Sequence, residues 1–226
     1  MIKRIRRLPF YFSALATFII LALAFLLIYT KPEGFLILNH YHSSFLDIFF
    51  SLITNLGDGL LCIFFAIVLF IFKKKKKAIT LLLAYTSSGI IAQVAKSFFN
   101  MPRPRLLLEQ LNIAYSSYVP GVKLHDFHSF PSGHTTSAFA LSTVLVLVFK
   151  KNKISVPCLL LAILVGYSRI YLAQHFPIDV LAGAVLGVAC AALSYYQVYS
   201  LKLFRSLKAT KRFRKLKQAE TVSKLA

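Results

Sequence analysis

"SFPSGHTTSAFALSTVLVLVF", residues 129–149, runs from a Pro-Ser-Gly-His cluster straight into a largely apolar stretch. Pro131 and Ser132 are ordinary helix-starting residues, and Gly133 is tolerated beside them. Read alone, the stretch is a capped helix and nothing more. Two features allow a sharper reading. A helix N-terminus offers spare N–H groups to an anion, and His134 in the first turn can move a proton near neutral pH. Which reading holds depends on what the rest of the chain brings to the same place.

The chain has 226 residues, of which 58% are hydrophobic, with no Trp but 21 Phe and 11 Tyr, and its formal net charge is +20. A soluble protein this basic points to nucleic acid. Here charge and apolar residues are segregated into blocks, the pattern of a polytopic membrane protein, so no nucleic-acid partner is expected. Six segments are apolar enough to span a bilayer: 10–29, 58–72, 78–98, 133–149, 154–172 and 177–199. The expected fold is therefore all-α, one six-helix membrane domain over 1–201 with a basic tail over 202–226. The second segment is short and borrows the stems of Lys73 and Lys74, which can snorkel. The first reads as a retained signal-anchor, because its apolar core is too long for a signal peptide and no small-residue cleavage site precedes "TKPEG". Cys62, Cys158 and Cys190 fall within spans and behave as small apolar residues, without metal or disulfide spacing.

Orientation follows from charge. Most of the 27 Lys and Arg lie at 3–7, 73–77, 150–153 and 202–224. With six spans these blocks share one side, which the positive-inside rule makes cytoplasmic, together with both termini. The five-Lys run is a topology signal. The opposite face receives Lys96, Arg103, His134, Arg169, His175 and Asp179, from three separate parts of the chain. Each has an ordinary explanation: Lys96 favours a helix C-terminus, Asp179 complements a helix N-terminus beside Pro177, Ser132 is an N-cap. Together they are harder to dismiss, since ionisable residues at the ends of spans are functional-site candidates. Lys96, Arg103 and Arg169 with the amides at the start of the fourth span make a phosphate the natural guest. His175 and Asp179 are four apart, so a carboxylate can fix one ring nitrogen and leave the other free to attack. His134 then suits a general acid toward the leaving oxygen.

The three stretches that carry these residues are "KSFFNMPRP" (96–104), "PSGH" (131–134) and "SRIYLAQHFPID" (168–179). They fit Lys-x6-Arg-Pro, Pro-Ser-Gly-His and Ser-Arg-x5-His-x3-Asp, in that order. The chain thus resembles the type 2 phosphatidic acid phosphatase superfamily, which also includes vanadium haloperoxidases and bacterial acid phosphatases. The six-segment pattern matches its membrane-bound lipid phosphatase branch, over nearly the whole chain and with no departure at a motif position. The resemblance implies that Lys96, Arg103 and Arg169 hold the phosphate oxygens, with the backbone around Ser132 and Gly133 and the Ser132 hydroxyl completing the cradle. It implies that His175 attacks phosphorus to give a phosphohistidine, Asp179 orients it, and His134 protonates the leaving oxygen and then activates water. No metal or other cofactor is implied, because the cations supply the charge stabilisation.

The loop 105–130 is too long for a bare connector. Its Tyr115, Tyr118, Phe127 and Phe130 suit the interface, and it is expected to roof the pocket; Arg105 could meet a second phosphate or solvent. "HDFH" (125–128) invites a zinc reading through His125, Asp126 and His128, which no fourth ligand supports. His40 and His42 read as interfacial, and 35–55 as an amphipathic or re-entrant segment. The tail could lie on an anionic inner leaflet or be a frayed basic end. The leading function is hydrolysis of a lipid phosphate or pyrophosphate at the outer leaflet, with a polyprenyl pyrophosphate, a lipid A phosphate or a phosphatidyl phosphate as substrate. A phosphotransferase with a lipid acceptor is the alternative, and a non-catalytic transporter or scaffold a distant one. Size and compactness point to a bacterial inner membrane.

Overall fold

The computed structural model describes residues 9–200; the basic blocks at 3–7 and 202–224 lie outside them. Among the described residues every regular element is helical. The order is α1 (Pro9–Ile28), α2 (Lys31–Leu38), α3 (Ser44–Ile53) with a 3-10 turn (Thr54–Gly57), α4 (Gly59–Ile71), α5 (Lys75–Phe99), α6 (Pro104–Gln110), α7 (Gly133–Phe149), α8 (Asn152–Tyr171) and α9 (Pro177–Tyr199). Four helical stretches are long and apolar enough to cross a membrane, or five if α3 to the 3-10 turn and α4, bent by 53° at Asp58, count as one span. α7 is apolar but has 17 residues.

Local sequence sets the boundaries. α7 begins where Ser132 caps it, its hydroxyl accepting from the Thr135 amide at 3.4 Å and the Thr135 hydroxyl at 2.8 Å. α9 begins at Pro177, whose missing N–H is no loss at the first helical position. Both match the segments expected from the sequence. The 58–72 segment does not stand alone: α4 has only 13 residues, and the "LGDG" break turns the chain sharply before it. The 105–130 loop is not wholly irregular either, since Pro104 starts the two-turn helix α6. Segment 35–55 folds as α2 and an amphipathic α3, which buries Phe50 and leaves Phe45, Ile48 and Leu52 exposed.

α7 is the central helix. It packs against α9, α8 and α5, while α1 lies on α8 and α9. Burial on nearly every side suits a helix that is small and apolar all round. Its polar residues find partners: the Tyr11 hydroxyl sits 3.1 Å from Ser142 Oγ and 2.9 Å from Thr143 Oγ1. α9 approaches α7 through Gly183 and Gly187, one turn apart. A Cβ at Gly183 would stand 2.6 Å from the Ser132 carbonyl oxygen, and one at Gly187 would stand 2.4 Å from that of Thr136. The Gly-x3-Gly spacing lets two backbones touch, as small residues do between membrane helices. That contact fixes the N-terminus of α7 against the first turns of α9.

Candidate active site

At the end of the bundle where α5 and α8 finish and α7 and α9 start, a cavity of about 600 Å³ opens. Its wall includes Lys96, Arg103, Gly133, His134, Arg169 and His175, six of the eight residues expected from the sequence. The other two, Ser132 and Asp179, are fully buried behind it. The Ser132 hydroxyl accepts as the α7 cap, and beside it the Gly133 and His134 amides precede the intrahelical hydrogen-bond ladder.

Asp179 is tied on several sides. Its Oδ2 accepts from the Phe176 amide at 2.9 Å and from the Ser129 hydroxyl at 2.5 Å, and its main-chain carbonyl accepts from the Ser132 amide at 3.0 Å. One residue thereby joins the start of α9, the loop before α7 and the turn that carries His175. His175 Nδ1 lies 3.6 Å from Asp179 Oδ2, and neither that nitrogen nor Asp179 Oδ1 has a hydrogen-bond partner. The pair is aligned, at a distance too long for a closed hydrogen bond. Nδ1 faces the carboxylate, which leaves Nε2 for the cavity. Burial pushes the His175 imidazole down to about 3, against the pull of Asp179 and with further push from Arg169 and Arg103. The ring is thereby held neutral at pH 7.

The cations are positioned by protein carbonyls and hydroxyls. Lys96 Nζ donates to the His128 carbonyl at 2.8 Å. Arg103 Nε donates to the Phe127 carbonyl at 3.0 Å, and its NH1 donates to Gln174 Oε1 at 2.9 Å. Partial burial lowers the Arg103 guanidinium from its ordinary range, with Asp179 opposing. Arg169 NH1 donates to Thr54 Oγ1 at 2.7 Å, while its buried Nε has no partner. An orphaned guanidinium N–H beside a cavity is a donor held ready for an anion.

Several contributors were not foreseen. Thr54 reaches the site from the 3-10 turn, and Gly57 of the same turn packs so closely that a Cβ there would stand 2.9 Å from His134 Cβ. Buried Gln174 links Arg103 to the Lys123 carbonyl, to which its Nε2 donates at 3.1 Å. Ala173, just before it, holds φ at 51°, which turns the chain sharply out of α8. Residues 120–123 and His125 form the far wall, so part of the 105–130 loop does cover the pocket.

The "HDFH" residues diverge. His125 lines the cavity, Asp126 pairs with Arg105 at 2.5 Å, and His128 Nδ1 meets the Lys96 carbonyl at 3.1 Å. Among the described residues no three His, Cys, Asp or Glu side chains gather as a metal group. Arg105 is engaged by Asp126 and is not on the cavity wall. His42 is more than interfacial: it stacks on Tyr171 at 4.3 Å and reaches Asp47 at 3.3 Å, while His40 is exposed. Tyr171 also donates to Asp47, and Tyr115 donates to buried Asn39 at 2.6 Å, which bonds the end of α8. This network ties α2, α3 and the roof loop to the helix that presents Arg169.

Residues 77–202 match the PAP2 superfamily. The lipid A 4'-phosphatase of Bacteroides thetaiotaomicron is 30% identical over 172 residues, 74% of this chain and 76% of that one. The undecaprenyl-diphosphatase of Sulfolobus acidocaldarius is 30% identical over 165 residues, 72% and 75% of the two chains. Among solved structures, Aquifex aeolicus LpxE superposes with a TM-score of 0.65 at 37% identity, covering 74% of this chain and 94% of that one. The PAP2-type phosphatidylglycerolphosphate phosphatase of Bacillus subtilis has the same fold, with a TM-score of 0.63 at 24% identity over 85% and 98% of the two chains. The matched region contains Lys96, Arg103, the Pro-Ser-Gly-His turn, Arg169, His175 and Asp179 and leaves out only the Ser51 and Thr54 side of the cavity, so on sequence, fold and site together the chain belongs to the PAP2 superfamily.

Proposed function

We propose that this protein hydrolyses a lipid phosphate monoester or diphosphate without a metal ion, through a phosphohistidine. The observation that carries the reading is the convergence of Lys96, Arg103 and Arg169 on one cavity with His134 and His175, while the carboxylate of Asp179 stands behind His175 rather than in the cavity. In the first step His175 Nε2 bonds to phosphorus and the bond to the leaving oxygen breaks. His134 gives that oxygen a proton, and the three cations with the Gly133 and His134 amides hold the equatorial oxygens. In the second step water attacks the phosphohistidine, His134 takes its proton, and inorganic phosphate leaves. The names of the relatives, lipid A 4'-phosphatase and undecaprenyl-diphosphatase, support an amphiphilic substrate.

The same reading places six spans in a bacterial inner membrane, with both termini and Lys73–Lys77 cytoplasmic and the cavity outside. A cysteine at Ser116 then reacts with an impermeant thiol reagent in intact cells and one at Lys75 does not; the reverse pattern inverts the topology. The activity test is phosphate release from undecaprenyl diphosphate, lipid A phosphate and phosphatidyl phosphate by purified protein in excess EDTA. Release that vanadate inhibits and His175→Ala abolishes is expected. Activity lost on chelation and restored by zinc overturns the metal-free mechanism. Transfer of labelled phosphoryl to a lipid acceptor without free phosphate makes the protein a phosphotransferase.

A further inference from the structure

The cavity is larger than its chemistry needs. At about 30 Å³ per water, 600 Å³ holds roughly twenty water-sized groups, several times the five heavy atoms of a phosphate. The phosphoryl group under attack must lie against His175 and the start of α7. What remains is the volume beneath the roof segment, and its wall has a definite character. No Asp or Glu lines the cavity, and beyond Lys96, Arg103, His134, Arg169 and His175 the wall carries two further basic residues, Lys123 and His125.

These two are presented by construction. Residues 122–125 have no helical assignment, and exposure alternates along them, with Lys123 and His125 exposed and Val122 and Leu124 half-buried. Val122 packs with Phe50 and Tyr171, and Leu124 packs with Phe35, Leu108 and Phe176. Alternation of this kind puts Lys123 and His125 on one side of the segment. The Lys123 backbone is pinned to the phosphate site through a single amide, since Gln174 donates to the Lys123 carbonyl and accepts from Arg103. Among the described residues no carboxylate lies within ion-pair distance of Lys123, whereas Arg105, from the same loop, is engaged by Asp126. Arg103, Lys123 and Arg169 all act on His125; burial first and then these charges lower its imidazole, with Asp126 opposing. An anion placed among them relieves that repulsion.

We infer that Lys123 and His125 form a second-anion subsite, which takes the lipid-proximal phosphate of a diphosphate ester while the terminal phosphate sits over His175. The inference rests on the proposed phosphatase reading and narrows its substrate to a diphosphate. His175 Nε2 bonds to the terminal phosphorus, and the P–O–P bridge breaks on the terminal side. The lipid monophosphate leaves with the bridging oxygen and the bond's electron pair, its new charge facing Lys123. Water then releases inorganic phosphate from the histidine. A leaving group already stabilised as an anion needs less help from His134 than an alkoxide does.

The test compares undecaprenyl diphosphate with undecaprenyl monophosphate, by phosphate release from the purified full chain. Wild type favours the diphosphate. Lys123→Ala lowers the ratio of the two kcat/KM values by about tenfold or more, the scale of one charge-assisted hydrogen bond. Lys123→Arg restores it, and His125→Gln lowers it by less. An unchanged ratio in Lys123→Ala, whether both rates fall together or neither falls, overturns the subsite. A binding arm separates this from failure of the phosphatase reading. Methylenediphosphonate, which cannot be hydrolysed, raises the unfolding temperature of wild type more than inorganic phosphate does, and Lys123→Ala erases the difference. If wild type hydrolyses neither lipid but shows that difference, the phosphatase reading fails and the subsite stands; if the two anions stabilise wild type equally, the subsite fails.

Discussion

Replacing Gly183 by Ala tests whether the α7–α9 contact sets the geometry of the phosphate cradle. The new Cβ would stand 2.6 Å from the Ser132 carbonyl oxygen, 3.1 Å from Thr136 Oγ1 and 3.2 Å from Thr135 Cβ. A carbon and a carbonyl oxygen rest at about 3.3 Å or more, so the backbone at Ser132 must retreat by roughly 0.7 Å. Ser132 directly precedes the Gly133 and His134 amides, and its own N–H is bonded to Asp179. A displacement near 1 Å in a positioned site can cost about 10²-fold in rate, so kcat of the folded enzyme falls by about 10- to 100-fold. Overpacking also costs about 1–3 kcal/mol of stability. Gly187→Ala is the control. Its Cβ meets the Thr136 carbonyl at 2.4 Å and the Ala140 nitrogen at 2.9 Å, an overlap at least as severe but one turn farther from the site. It therefore destabilises as much or more while kcat per folded molecule falls far less. Thermal unfolding in detergent and turnover of a soluble phosphate ester measure the two effects. Equal kcat losses in both variants, or an unchanged kcat in Gly183→Ala, refute the coupling.

Ser129→Ala removes a hydroxyl donor from Asp179 and leaves the Phe176 amide in place; kcat drops about tenfold with KM little changed, and equal rises in KM would count against it. Thr54→Val keeps the shape of the side chain but strips Arg169 of its hydroxyl partner; vanadate inhibition weakens by about tenfold, and an unchanged inhibition constant excludes Thr54 from aiming Arg169. His175, held neutral with its pKa lowered to about 3, returns to about 6.5 on unfolding, so the unfolded chain binds the extra proton between those values. Its contribution to stability is complete above pH 6.5 and is lost as pH falls toward 3, at up to about 1.4 kcal/mol per unit. Stability measured at pH 7 and pH 5 falls more steeply in wild type than in His175→Asn; parallel declines refute the assignment.

The residues that the sequence made legible are those whose meaning is local. Ser132 and Pro177 announce helix starts by their own chemistry, and α7 and α9 begin and run as expected. His175 and Asp179 are paired by a four-residue spacing that any helix start would honour. What could not be read depends on contacts between distant segments. Thr54 meets Arg169 across 115 residues, and Gln174 acquires its role only when Arg103, 71 residues earlier, folds beside it. Nothing in "ITNLGDG" marks Thr54 as part of a phosphate site. The 53° bend before the second segment is a feature that hydropathy does not register. The Gly183 and Gly187 pair went unread in the sequence, although Gly-x3-Gly spacing lets two helices approach closely.

The double duty of Asp179 bears on how such a protein could decay. Its carboxylate and main chain together hold Ser129, Phe176 and Ser132, so the fold itself depends on it. The His134 side chain makes no hydrogen bond within the described residues, so under the proposed mechanism its identity is held mainly by the reaction. A duplicated copy released from selection for turnover would therefore shed His134 early and keep Asp179 long after the chemistry was gone. Under the proposed mechanism, an intact Asp179 in chains of this kind reports that the bundle folds, and an intact His134 that it turns over.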